Sequence, residues 1–134
     1  MRKGRRHYRL TLANALDAHD RALGTGGRPG IPNLHLVRSA IDRPYNGYYR
    51  PIARKAAALV HSMATNHGFA DGNKRTALIL LHTLLTRSGY QLEPANGDQS
   101  LDQAAEDMLV AVVTHVLSFD SLVGWLNARL KTLP

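Results

Sequence analysis

An all-α domain of about six helices is the fold this 134-residue chain predicts. Apolar residues recur at helical spacing in one segment after another, with capping residues or proline at many starts and glycine or proline at several ends. No stretch alternates with period two over enough residues to make a convincing sheet. One segment, from Gly72 to about Arg87, is apolar almost all round, which marks a central helix enclosed by the others.

The elements follow in order. Leu10, Ala13, Leu16, Ala22 and Leu23 share a helical face, with Thr11 suited to N-capping and Gly24 to stopping the helix. Residues 24–32 form a glycine-rich connector that lacks the Gly-Lys-Ser/Thr end of a P-loop, so phosphate cradling is not expected of it. Asn33 caps a short helix bearing Leu34, Val37 and Ile41, which ends at Arg43-Pro44 because the residue before proline disfavours helix. Asn46-Gly47, flanked by tyrosines within residues 43–51, suggests a small hairpin or an ordered flap.

Pro51 suits the first position of an alanine-rich helix running to Ala64. The enclosed helix follows and stops at Ser88-Gly89. Tyr90 to Pro94 is a brief extended piece and 95–99 a polar loop. Ser100 caps a helix with Leu101, Ala105, Met108, Leu109 and Val112 on its apolar face, and Ser118 caps a last one carrying Leu122, Trp125, Leu126 and Leu130.

Length and 44% hydrophobic content support one domain over residues 1–134, with 1–9 as a basic N-terminal extension. The absence of cysteine excludes disulfides and thiolate metal sites and fits a reducing, cytoplasmic setting. The basic start is followed by no apolar signal region, and the longest apolar run, Ala77 to Leu81, is too short to span a bilayer. Residues 1–55 hold 12 Lys/Arg against 3 Asp/Glu, and residues 56–134 hold 5 against 7. In a small protein such a basic half more often forms a solvated face than a nucleic-acid site, so direct nucleic-acid binding is not expected.

The chemistry concentrates in His67-Gly68-Phe69-Ala70-Asp71-Gly72-Asn73-Lys74-Arg75. His67 is a proton acceptor near neutral pH, and Asp71 is a hard oxygen ligand suited to Mg²⁺. Gly72, Asn73, Lys74 and Arg75 open a helix whose first N–H groups have no intrahelical partner, with two cations at the same end. Taken singly, these residues read as a helix cap, a loop histidine and solvated cations. Together they resemble the signature of the Fic/Doc family, H-x-F-x-[D/E]-G-N-x-R.

The likeness runs further, through Ala18-His19-Asp20, Gly30-Ile31-Pro32, Ala40 to Pro44 and the leucine-rich helix, and is similar to the death-on-curing toxin branch. It implies a compact helical fold and an ATP-dependent transferase acting on a hydroxyl of a target protein. His67 would be the general base and Asp71 the Mg²⁺ ligand. Gly72, Asn73, Lys74 and Arg75 would hold the nucleotide phosphates, with Phe69 anchoring the loop. A separate antitoxin, laying a helix in a groove, would restrain it, and elongation factor Tu is one candidate target.

Departures from the adenylylating pattern bear on which group moves. Lys74 stands where adenylylating members have Gly, and Leu78 where they have a second Arg, which favours phosphoryl transfer. Gly72 follows the adenylylating pattern, and Gly68 replaces the common Pro. Protein adenylylation and a catalytically silent binding module therefore stay open as alternatives. A metal hydrolase built on His61, His67, His82 and His115 lacks any His-Glu-x-x-His or similar spacing.

Overall fold

A computed structural model describes residues 6–24, 26–27 and 29–134 of the protein. Six helices follow in order: α1 (Leu12–Leu23), α2 (Leu34–Asp42), α3 (Ile52–Thr65), α4 (Asn73–Arg87), α5 (Leu101–Val113) and α6 (Phe119–Arg129). Strand β1 (Tyr90–Leu92) follows α4, and β2 (Leu130–Thr132) follows α6.

Four helices open on the side chain expected to cap them. Thr11 accepts from Asn14 N, Asn33 from Leu36 N, Ser100 from Gln103 N and Ser118 from Ser121 N. Each such bond satisfies a donor that the helix cannot, and is worth about 1 kcal/mol. Pro51 sits one residue earlier than expected, as the N-cap of α3.

The enclosed centre is shared by α3 and α4, and α3 is the more enclosed. Ala56, Ala57, Ala58, Leu59 and Val60 are fully buried, because three alanines let neighbours approach from every side. Helix α4 buries Thr76, Ala77, Leu80, Leu81, Leu84 and Leu85 but leaves Leu78 and Ile79 half-buried and His82 exposed. Helices α2 and α6 pack on α3, and α1 packs on α4. The loop joining α3 to α4 therefore lies at one end of the central pair with α1 alongside.

Three expectations need correction. The 43–51 segment is ordered but is no hairpin: it makes two 3-10 turns, Arg43–Tyr45 and Gly47–Tyr49. Asn46 spends its side chain capping Tyr48 N, and the Tyr49 hydroxyl accepts from Arg43 Nε at 3.2 Å. A small sheet also exists, β1 and β2 pairing antiparallel with Gln91 opposite Lys131. Leu130 belongs to that sheet rather than to the last helix. Helix α6 stops at Arg129, whose Nε and Nη2 donate to Asp98 at 2.9 and 2.6 Å, and the Arg129 carbonyl accepts from Glu93 N.

Of the expected basic extension, residues 1–5 lie outside the described residues, as do Thr25 and Arg28 of the connector. Tyr8 and Leu10 are tied down: Tyr8 N donates to Ser88 Oγ at 2.8 Å, and the Tyr45 hydroxyl bridges Tyr8 O and Leu10 N. Among the described residues no helix is long and apolar enough to cross a membrane.

Candidate active site

The loop from His67 to Gly72 is held on three sides. From below, Phe69 is buried at 2% exposure in the core. From within, the Asn73 side chain closes a ring on the Phe69 backbone, its Oδ1 accepting from Phe69 N at 3.1 Å and its Nδ2 donating to Phe69 O at 2.9 Å. From the side, the His19 ring of α1 stacks on Phe69 at 3.8 Å, nearly parallel, and its Nε2 lies 2.9 Å from the Asp71 carbonyl oxygen.

The glycine-rich connector is more than a connector. Asn33 N donates to the Gly68 carbonyl at 2.7 Å. Gly30, at φ +54, leaves room for Ala70, since an added Cβ would meet the Ala70 Cβ at 2.8 Å. Gly27, at φ +103, passes Asp71 so closely that a Cβ there would stand 3.2 Å from Oδ2. The connector is thus fitted against the motif at Gly27 and Gly30, positions where only glycine is free of both strain and collision.

Asp71, Gly72, Asn73, Lys74 and Arg75 line one cleft of about 420 Å³, together with Gly26, Gly27, Leu78 and Glu106. Gly72 adopts the left-handed conformation at φ +80 and is the N-cap of α4 with no side-chain cap bond. The residues that carry the first N–H groups of α4 line the cleft, and helix geometry leaves those groups without intrahelical acceptors. Lys74 and Arg75 are exposed at its mouth, and Arg75 Nη1 donates to the Ala22 carbonyl at 3.3 Å.

His67 stands apart from that lining. It is exposed at the start of the loop, and its φ of +54 is uncommon for a residue with a Cβ. Such backbone strain is tolerated where surrounding structure imposes it, and here the α3 terminus and the buried Gly68 lie on either side. So the structure gathers Asp71, Gly72, Asn73, Lys74 and Arg75 in the cleft, while His67 lies exposed four residues before Asp71 and outside that lining. Two of the predicted phosphate contacts already have engaged side chains, Asn73 with the Phe69 backbone and Arg75 with the Ala22 carbonyl.

The donor set fits Mg²⁺ of the kind that arrives with a nucleotide. Among the described residues no cluster of three or more His, Asp or Glu is arranged to hold a metal alone. The cleft offers the Asp71 carboxylate beside helix N–H groups, and Mg²⁺ is commonly held by one or two carboxylates plus phosphate oxygens and water.

Sequence reasoning overlooked His19, Gly27 and Gly30 as parts of the site. A signal for His19 was present: it lies on the α1 face formed by Ala15, Ala18 and Ala22, where an imidazole needs a partner. The partner itself, Asp71, is 52 residues away and could not be read from local pattern.

The profile of the Fic/DOC family matches residues 9–85, the segment from the start of α1 through the motif and along α4. Toxin Doc of Mycolicibacterium smegmatis is 36% identical over 108 residues, covering 77% of this chain and 80% of that protein. Protein adenylyltransferase Fic of Drosophila melanogaster is 31% identical over 102 residues, covering 60% of this chain and 21% of that protein. The same enzyme of Aedes aegypti is 31% identical over 104 residues, 60% of this chain and 20% of its own length. The chain spans about a fifth of those adenylyltransferases and most of the toxin.

Proposed function

The chain belongs to the Fic/DOC family, and from that premise we propose that it is a toxin-like kinase, moving the γ-phosphoryl group of ATP to a Ser or Thr hydroxyl of a target protein. The observation that carries this reading is the cleft in which Asp71, the opening of α4, Lys74 and Arg75 come together, on the loop that begins with the exposed His67.

His67 takes the proton from the attacking hydroxyl as the new O–P bond forms, a step suited to imidazole at neutral pH. The N–H groups of residues 73–75, with the Lys74 and Arg75 side chains, bind the phosphates and offset negative charge as it shifts toward the leaving diphosphate. Mg²⁺ bound at Asp71 would neutralise phosphate charge. Asn73 and Phe69 keep the loop in shape. Restraint of the activity falls to a separate antitoxin whose helix lies in a groove of this domain, and elongation factor Tu is a target to test first. The cysteine-free chain suits a cytoplasmic site of action.

Adenylyl transfer is the second reading, and two observations favour it: Gly72 at φ +80, a conformation that suits the glycine of the adenylylating pattern, and the similarity to proteins named adenylyltransferases. Lys74 and Leu78 weigh against it, placing a cation at the α4 start and no second Arg one turn on. ATP labelled separately at the α- and γ-positions, incubated with the protein and a bacterial lysate, separates the two. The kinase reading expects only γ-label on a target protein. Transfer of α-label overturns it in favour of adenylylation, and transfer of neither, with elongation factor Tu present, favours a silent binding module.

A further inference from the structure

His19 takes no part in the chemistry just described, yet it is built into the site. The residue is 6% exposed on α1, and its ring lies parallel to Phe69. A carbonyl oxygen only accepts, so the 2.9 Å contact with Asp71 O requires the hydrogen on Nε2. The ring also borders Gly72, where an added Cβ would lie 3.7 Å from Cδ2 and 3.8 Å from Nε2.

The peptide that His19 grips is the one that matters. Because a peptide is planar, holding the Asp71 carbonyl in one direction points the Gly72 N–H in the opposite one. That N–H donates to Asp71 Oδ1 at 2.8 Å. The chain of contacts therefore runs from the His19 Nε2–H to a carbonyl, across the peptide plane, and from its N–H to the carboxylate. Gly72 is the weak point, since glycine at φ +80 adopts either sign of φ readily and nothing in its own covalent structure resists rotation of the Asp71–Gly72 peptide.

We propose that His19 is a positioning residue that locks the Asp71–Gly72 peptide, so that the Asp71 carboxylate and the first N–H groups of α4 address the same cleft. Its effect on nucleotide binding rests on the transferase reading, whereas its effect on the peptide does not.

Two variants test it. His19→Phe keeps a ring for Phe69 and removes the donor; His19→Gln places a donor near the Nε2 position and removes the ring. Hydrogen exchange at the Gly72 amide, Mg·ATP affinity by calorimetry and thermal melting are measured on each full chain. His19→Phe is expected to melt close to wild type while the Gly72 amide exchanges about tenfold faster and Mg·ATP binds about tenfold more weakly, with His19→Gln recovering part of both. Gly72 protection and Mg·ATP affinity within twofold of wild type in a folded His19→Phe overturn the proposal. If His19→Phe does not fold, His19→Gln decides: retained Gly72 protection supports the lock, and lost protection overturns it. If wild type binds no Mg·ATP, the nucleotide reading falls while Gly72 exchange still decides the positioning.

Discussion

Asp71 has two roles open to it from the sequence, helix cap or metal ligand, and experiment can separate them. The N-cap position of α4 belongs to Gly72 and carries no side-chain cap bond, while Asp71 Oδ1 accepts from the N–H of its immediate neighbour. The carboxylate is exposed at the cleft. Asp71→Ala is therefore expected to weaken Mg·ATP binding by about tenfold or more in calorimetry. Its melting temperature should stay within a few degrees of wild type, since only a cap or packing role would cost stability on the order of 1 kcal/mol. A lowered melting point with unchanged Mg·ATP affinity would assign Asp71 to structure alone. Asn73 shows the reverse case: its amide reads from the motif as a phosphate contact, but both of its polar atoms are bonded to Phe69.

At the scale of elements, helix starts were legible because a cap is a local device. Thr11, Asn33, Ser100 and Ser118 each bond within three residues, and a window of sequence contains the whole interaction. The extended piece at Tyr90 was legible too, but β2 and the sheet were not, because each strand is three residues long and their pairing joins residue 90 to residue 132. The demand for glycine at positions 27 and 30 of the connector was not legible for the same reason, since those glycines answer to Asp71 and Ala70, far along the chain. Gly68 is a further example, replacing a common proline for a reason that lies on α2. An added Cβ there would meet Val37 Cγ2 at 2.8 Å and Val37 N at 3.2 Å. Gly68→Ala is accordingly expected to destabilise the fold by about 1–3 kcal/mol through overpacking. Combined with Val37→Ala, it should cost less than the two changes summed, by about 0.5 kcal/mol or more. Denaturant melts of the four proteins in the cycle measure that coupling, and strict additivity would show that α2 and the loop are not matched at this contact.

Over the whole molecule, a largely buried ion pair joins the β1–β2 pairing in fastening the C-terminal end. Asp98 and Arg129 are each about one-tenth exposed, and the Arg129 guanidinium, with the Ala95 N–H, holds the Asp98 carboxyl below its ordinary value. A carboxyl depressed by folding contributes stability that is fully present above its unfolded value of about 3.9 and is lost as pH falls through the folded value. Asp98→Asn should therefore melt below wild type at neutral pH, and the gap should close as both are acidified past pH 4. A gap that persists unchanged at low pH would mean that shape, not charge, fastens β2 to the body. The most direct test of the account is the transfer of γ-label from ATP to a target protein by wild type and by His67→Ala, with both shown to be folded by equal melting temperatures. Wild type should label the target, and His67→Ala should lose about two orders of magnitude or more in rate, the share a positioned general base supplies. Transfer by folded His67→Ala at the wild-type rate would contradict the assignment of His67 as the base.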